Sequence, residues 1–169
     1  MSSSKVLDTA KVLSVVIALG PKVLCDGFPR GVSTRVYYDA CCLALEKSPP
    51  KGCKTTLRSE SYAFHLYTSD QGCQVTAVCL ADRDMGTKLP YALVKDALKK
   101  FNLKYPVDQL QILKTLAPDS LSDTFGVEVL NPLIERCNAV YGKIVSKGRK
   151  EDMEEEEDVK LHSKRVENM

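Results

Sequence analysis

The chain has 169 residues, 44% of them hydrophobic, and its formal net charge at pH 7 is +2. This length suits one globular domain that can bury a core of its own, with some chain to spare. The nearly balanced charge gives no support for nucleic-acid binding, and we expect no nucleic acid among the partners.

The cysteine pattern and the N-terminal sequence indicate a cytoplasmic protein. Seven cysteines are present, and none forms a CxxC motif. Most lie within apolar runs, where cysteine acts as a small hydrophobic residue, so we expect reduced thiols. Met1–Asp8 lacks the apolar run of a signal peptide, and Val12–Leu19 is too short to cross a bilayer.

Two apolar strands are predicted near the beginning of the chain. Lys11–Leu19 is rich in β-branched residues and apolar on both faces, which is typical of a central strand covered above and below. Gly20-Pro21 is a turn signal, and Lys22–Phe28 is the returning strand. We expect residues 1–10, which precede these strands, to form a flexible lead-in.

A helix and a short strand follow. Ser33–Lys47 has apolar residues at helical spacing, with Ser33 or Thr34 as the N-cap. Lys54–Arg58 is short and polar, as a strand at the edge of a sheet should be. An edge strand leaves its outer N–H and C=O groups available to another extended segment.

The middle of the chain predicts a β-hairpin. The first strand is Ser61–Thr68, whose successive side chains alternate between its two faces. The second strand is Cys73–Ala81, which is apolar on both faces, and Ser69–Gly72 supplies the turn between them. His65 lies on the first of these strands among aromatic neighbours. We interpret it as a packed or half-exposed strand residue rather than as a catalytic base.

The next helix has the clearest periodicity in the chain. Six apolar residues recur at i, i+3, i+4, i+7, i+8 and i+11, which is one stripe along a helix. They are Pro90, Leu93, Val94, Ala97, Leu98 and Phe101. Proline near the start of the helix does no harm, because its missing N–H would have no partner there.

A third helix is predicted to begin near Ser120 or Ser122. Pro132 lies within its apolar pattern. Two interpretations remain open for this position. Either the helix kinks at Pro132, or Asn131 caps a fresh helix with Pro132 at its first position.

The C-terminal part of the chain is polar. From Lys143 onward apolar residues become sparse, and Glu151–Asp158 contains seven acidic residues in eight. Such a block repels itself. We therefore expect a folded domain at 11–142 and a charged tail at 143–169 that is disordered or loosely helical.

The order of these elements is ββαβββα, followed by one more helix. It predicts an α+β fold in which a five-stranded antiparallel sheet carries one helix on one face and two on the other. The first helix must cover one face of the sheet, and the later helices must cover the other.

This order of elements and several stretches of the sequence resemble the longin domain. Longin domains are found at the N-terminus of synaptobrevin-like R-SNAREs, also called vesicle-associated membrane proteins. The resemblance covers residues 11–142 and implies a profilin-like fold. The similar stretches are Val15–Ala18, Tyr62–Tyr67, Val78–Asp82 with Leu89–Asp96 and Lys99–Phe101, and Leu121–Leu133.

The chain departs from R-SNAREs beyond this domain. In that family a coiled-coil segment follows, with heptad apolar layers, a central arginine and then a membrane anchor. Here Lys147 stands where that arginine is expected, and no sustained heptad follows it. We expect a longin-only relative, a divergent SNARE or a truncated product, and no entry into a fusion bundle.

The resemblance implies binding through surface grooves, and two surfaces are candidates. The first lies between the first helix and the third strand, and its structural alternative is a wider core contact. The tail could fold back on it, although its few apolar residues would bury little area. The predicted groove comprises Tyr37, Cys41, Leu45, Thr56 and Leu57.

The second candidate is the basic face of the second helix. It would meet acidic lipid or an acidic partner, and its alternative is a simple solvated helix face. The residues of this predicted basic face are Lys95, Lys99, Lys100 and Lys104.

The resemblance implies a non-catalytic protein-binding module of vesicle-mediated membrane trafficking, acting in SNARE-related regulation or sorting. The implied partners are SNAREs, coat subunits or tether subunits, and peripheral contact with endomembranes or vesicles is an open option. The alternative is a small structural subunit of a tethering or adaptor complex with the same fold.

We expect that the protein is not an enzyme and that it binds no cofactor, no metal and no small-molecule substrate. Clustered metal ligands and a phosphate-binding glycine loop are not evident in the sequence. A third hypothesis is a thiol-dependent or other small enzyme, for which Cys79 and His65 on adjacent strands are an example of a reactive pair. It lacks an orienting partner and a pocket for the nucleophile.

Overall fold

The computed structural model describes residues 11–31, 35–70, 75–105, 122–147 and 161–165, with backbone alone at 35–36, 122–124 and 161–165. Several predicted features lie outside the described residues. These are the lead-in at 1–10, the N-cap at Ser33 or Thr34, part of the hairpin turn, and the acidic block Glu151–Asp158.

Six strands and three α-helices form the described structure. The strands are β1 (Val12–Leu19), β2 (Lys22–Gly27), β3 (Lys54–Arg58), β4 (Tyr62–Thr68), β5 (Val75–Asp82) and β6 (Leu161–Arg165). The helices are α1 (Arg35–Ala44), α2 (Lys88–Lys104) and α3 (Asn131–Ser146). Shorter helical segments are the 3₁₀ turns Leu45–Lys47 and Arg83–Met85 and the π-helix Ser122–Leu130.

The strands form one sheet in the order β2-β1-β5-β4-β3-β6. The first five strands pair antiparallel, whereas β6 pairs parallel with β3. Strand β1 lies between β2 and β5, and all of its residues except Leu13 are fully buried. Its apolar sequence on both faces therefore predicted its central position correctly.

The sheet is covered on both faces, as the sequence predicted. Val16, Leu57 and Leu80 pack with Cys41 of α1 on one face. The alternate residues of β1 pack under α2 and α3 on the other face, because successive side chains of a strand point to opposite sides. The α+β architecture with one helix on one face and two on the other is confirmed.

The apolar stripe of α2 is buried from Pro90 to Phe101. Phe101 is fully buried, and its ring meets Phe125 of the π-helix nearly at right angles, with 5.4 Å between the ring centroids. Such edge-to-face pairs contribute about 0.5–1.5 kcal/mol beyond the area that they bury. This aromatic contact joins the end of α2 to the beginning of the third helical region.

The helical region around Pro132 resolves the two interpretations of the sequence. A π-helix ends at Leu130, and α3 begins at Asn131 with the proline in its first turn. A fresh α-helix does start there, but Asn131 is not its N-cap. The Asn131 side chain instead accepts the N–H of Phe28 at 2.8 Å, so it fixes α3 to the end of β2.

The C-terminal tail contains a strand that the sequence did not predict. Residues 161–165 form β6 beside β3, so the expectation of a disordered or loosely helical tail is wrong for this segment. The expectation that β3 is an edge strand is wrong for the same reason. The segment has no alternating apolar pattern, and its strand conformation comes from pairing with β3 rather than from propensity.

The other edge of the sheet, β2, is covered by the π-helix. A Cβ atom on Gly126 would overlap the carbonyl oxygen of Asp26, and one on Gly27 would overlap the side chain of Leu130. Only glycine allows the two backbones to approach so closely. This contact keeps β2 away from other extended chains.

We predict that Gly126→Ala lowers the free energy of unfolding by about 2 kcal/mol, because the new methyl group forces the π-helix away from β2. Urea denaturation of the full chain measures this. Gly142→Ala in α3 is the matched control, since a Cβ there meets no atom within 4 Å. We expect it to be neutral or stabilising, and equal losses in the two variants would contradict the close-approach argument.

Candidate partner-binding edge at strand β3

Strand β3 has a hydrogen-bonded neighbour on each side, β4 in antiparallel and β6 in parallel orientation. The register places Leu161 opposite Lys54, Ser163 opposite Thr56 and Arg165 opposite Arg58. The tail therefore occupies the edge that an extended partner segment would use for strand addition. We call this the β3 edge.

Four residues of the predicted groove come together on the α1 face of the sheet. Cys41 and Leu57 are fully buried in one apolar cluster, and Tyr37 and Leu45 pack against that cluster while half-buried. Burial raises the pKa of the Cys41 thiol to about 12. Cys41 and Leu57 thus belong to the core, which is the structural alternative stated for them above.

The accessible part of this side is aromatic. The ring of Tyr37 meets the ring of Tyr62 edge-on, with 6.2 Å between centroids, and Tyr62 is 37% exposed. Tyr62 begins β4, next to the end of β3 in the register. Leu45 borders a separate cavity of about 560 Å³ at the end of α1.

Thr56 does not belong to the groove, and its assignment to that surface is wrong. Adjacent residues of a strand face opposite sides of the sheet, so Thr56 and Leu57 cannot line one groove. Thr56 is fully buried on the α2 side. Its hydroxyl lies 3.1 Å from His65 Nδ1 and is also hydrogen-bonded to the Tyr91 hydroxyl.

These three side chains form a buried polar cluster that the sequence did not indicate. The ring of His65 meets the ring of Tyr91 edge-on, with 5.3 Å between centroids, and Lys54 Nζ lies 5.0 Å from the centre of the Tyr91 ring. Hydroxyl and imidazole groups on β3, β4 and α2 come together only in the fold. Their spacing in the sequence gives no signal of this.

The buried cluster is not arranged for catalysis. Burial, with a smaller contribution from the charge of Arg58, lowers the pKa of His65 to about 3, so the imidazole is neutral at pH 7. Cys79 is the register partner of His65 on β5, and burial raises its thiol pKa well above the ordinary value. A thiolate nucleophile is therefore disfavoured at this position.

The predicted basic face of α2 is divided. Lys100 pairs with Asp96 at 3.5 Å, and Asp96 also pairs with Arg136. Lys95 Nζ lies 5.9 Å from the ring centre of Tyr67, beside a cavity of about 350 Å³ that Lys99 also borders. Lys104 stands over Tyr105 at the end of the helix. The four lysines are exposed but do not form one uniform cationic surface.

Other kinds of site have no support within the described residues. In that part of the chain, no group of three or more metal-ligating side chains could hold an ion. None of the described helices has the length and apolar character needed to cross a membrane. Six cysteines are described and none forms a disulfide, while Cys73 lies outside the described residues.

We predict that stability falls as the pH drops from 8 to 5, because His65 is neutral in the folded chain and protonated in the unfolded chain below about pH 6.5. Because the pKa of His65 is lower in the folded chain than in the unfolded chain, the contribution of His65 to stability is complete above pH 6.5 and is lost as the pH falls toward 3. This difference in pKa lowers the free energy of unfolding by about 2 kcal/mol at pH 5, a pH at which protonation of carboxylates still contributes little. Urea titrations at several pH values measure it.

The two histidines of the chain provide a matched pair of variants for this measurement. His65→Asn should remove most of the slope between pH 8 and 5, whereas His162→Asn should keep it. A slope that persists unchanged in His65→Asn would show that another group causes the pH dependence.

Comparison with known proteins identifies the domain. A model of the longin family, described as a regulated-SNARE-like domain, matches residues 34–125, which is more than half of the chain. No curated protein matches the sequence. The match runs from the beginning of α1 through the hairpin and α2 into the π-helix. The chain belongs to the longin family of regulated-SNARE-like domains.

Proposed function

We propose that this chain is a non-catalytic protein-binding module of vesicle-mediated membrane trafficking that acts in SNARE-related regulation or sorting. Membership of the longin family supports the trafficking role, since its model describes a regulated-SNARE-like domain. The proposed partners are SNAREs, coat subunits or tether subunits, met on the cytoplasmic side of endomembranes or vesicles. The proposed docking site is the β3 edge.

The observation that carries this proposal is the pairing of the chain's own tail with β3. Five residues of β6 lie in register with the five residues of β3. Strand addition of this kind gains main-chain hydrogen bonds whatever the sequence of the added strand. A partner segment in extended conformation can therefore take the same place after the tail leaves.

The tail is a displaceable cover rather than a permanent strand. It contributes a ladder of five residues, and among the described strands β3 is the one neighbour of β6. Parallel pairs are slightly less stable per residue than antiparallel pairs. β6 belongs to the same chain as β3, so a partner segment must compete with an intramolecular strand for this position.

The basic face of α2 does not support a second binding function. Asp96 already neutralises Lys100 and contacts Arg136, and exposed ion pairs and single lysines give only weak, salt-sensitive attraction. Membrane contact through this face would need a more uniform positive surface.

We predict that Ser163→Pro/Lys164→Pro opens the β3 edge. Alternate residues of a strand direct their N–H groups to opposite sides, so two successive prolines remove at least one donor from the ladder. Hydrogen exchange of the full chain should show the β3 amides that point toward β6 exchanging about tenfold faster or more, while the β3 amides bonded to β4 and the amides of β1 and β5 stay protected.

The control for this variant is Ser163→Ala/Lys164→Ala, which keeps every backbone donor. In this alanine control the amides of β3 should exchange as slowly as they do in the wild type. If the proline variant leaves exchange at β3 unchanged, the tail does not cover this edge and the proposed docking site is wrong.

We also predict that the proline variant binds trafficking proteins more strongly. Affinity capture from cell lysate with wild type, proline variant and alanine control should recover SNAREs, coat subunits or tether subunits, with several-fold more on the proline variant. The gain follows from removing the competing strand.

Two results of the capture experiment would contradict the proposal. One is recovery of no trafficking component with any variant. The other is recovery of one fixed set of proteins in constant proportion whatever the state of the tail, which would instead support the structural subunit of a tethering or adaptor complex.

A further inference from the structure

A cleft of about 170 Å³ lies between α2 and α3. Each helix contributes side chains at i, i+3, i+4 and i+7 of its own sequence, which is the spacing of one helix face. Most of these side chains are apolar. The apolar lining residues are Leu89, Ala92 and Leu93 of α2 and Leu133, Cys137 and Val140 of α3.

The cleft has a nearly buried floor and an open rim. Leu93, Leu133 and Cys137 are between 5% and 8% exposed, so they are packed in the core and still reach the surface. Ala92 is exposed and Val140 is 39% exposed, so the rim presents apolar side chains to solvent. Covering these side chains would remove further apolar surface from water, which is favourable.

The size and polarity of the cleft fit one apolar side chain. Sites for drug-sized ligands usually measure roughly 300–1,000 Å³, which is larger than this cleft. Single bulky side chains that fill small pockets are the usual anchors of protein interfaces. Burial raises the pKa of the Cys137 thiol to about 12, so the floor is uncharged at pH 7.

Positive charge predominates at the rim. Arg136 Nη2 lies 3.5 Å from one carboxylate oxygen of Asp96, and Lys100 Nζ lies 3.5 Å from the other oxygen. Two cations therefore share one carboxylate. Lys88 and Lys143 are exposed one helical turn away from the apolar rim residues and add to the positive charge.

The carboxylates of the two helices do not balance these cations. Asp96 is the one acidic residue of α2, and Glu135 is the one acidic residue of α3. Glu135 accepts the N–H of Arg30 at 2.8 Å, so it is engaged beside the end of β2. An acidic partner complements this rim, whereas a second copy of the chain would bring the same cations against it.

We infer that the α2–α3 cleft is a docking site for an acidic segment of another protein, which inserts one bulky apolar side chain between the helices and places carboxylates beside Arg136 and Lys143. Burial of the anchor supplies most of the affinity, and the carboxylates select among segments that carry such an anchor. This surface is separate from the β3 edge. The inference therefore goes beyond the proposed function, and the two can fail independently.

A fluorescent synthetic peptide with one leucine among glutamates tests the inference by anisotropy on the full chain at physiological ionic strength. Replacing its leucine by alanine should weaken binding about tenfold, because the anchor is lost. Replacing its glutamates by glutamines should weaken binding several-fold. In methyl NMR spectra the peptide should shift the signals of Leu93, Leu133 and Val140, while Leu57 under α1 stays unchanged.

Variants of the protein have matched controls. Val140→Asp should weaken binding of the leucine peptide about tenfold or more, whereas Val127→Asp, at an exposed valine of the π-helix, should not. Arg136→Glu should weaken binding several-fold. Lys51→Glu makes the same change of charge in the turn before β3 and should stay within about twofold, because salt screens distant charges. Thermal unfolding verifies that each variant is folded.

Equal affinities of the leucine and alanine peptides, or equal losses in Val140→Asp and Val127→Asp, would overturn the inference. If no peptide binds at millimolar concentration, a full chain with Met153→Ser and glutamines at Glu154–Glu157 decides the cause. Binding gained in this variant would show that the chain's own acidic block is the occupant, and continued absence would show that the cleft is not a docking site. Methyl shifts that depend on protein concentration without peptide would identify a second copy as the occupant. Each of these results rejects the acidic partner.

Discussion

The hydrogen-bonding groups at the two edges of the sheet are the constraint on which the rest of the structure depends. Each edge of a β-sheet presents a row of N–H and C=O groups that attract other extended chains. In this chain β2 is covered by a π-helix whose Gly126 lies against Asp26, and β3 is covered by β6. The two covers use different parts of the sequence and have different consequences.

The cover of β2 is built into the core. Phe125 of the π-helix packs against Phe101, and Asn131 accepts the N–H of Phe28, so this edge cannot open without disturbing α2 and α3. The cover of β3 is β6, and among the described residues it meets the sheet through its ladder with β3. The first cover is part of the core, and the second is the one that we propose a partner segment replaces.

Much of this arrangement follows from apolar patterns that can be seen in the sequence. The central position of β1, the buried stripe ending at Phe101 and the two helical layers follow from side chains that are apolar at the period of a strand or a helix. Such patterns record how much of a segment is buried and on which side. They contain little information about which backbone groups pair across the sheet.

The parts that the sequence did not predict depend on pairing and on fine orientation. Nothing in the composition of β6 marks it as a strand, because its conformation is decided by the edge that receives it. The burial of Thr56 beside His65 and Tyr91 depends on which face of β3 each residue occupies, and a shift of one residue reverses that assignment. The assignment of Thr56 to the predicted groove is wrong for this reason.

The most direct test of the account is a nuclear Overhauser spectrum of the full chain at low concentration. We expect cross-peaks between backbone protons of β3 and β6 in the parallel register, Ser163 beside Thr56 and Arg165 beside Arg58, with intensities that do not depend on protein concentration. Absence of these cross-peaks, with β3 amides that exchange as fast as those of an exposed edge, would contradict it.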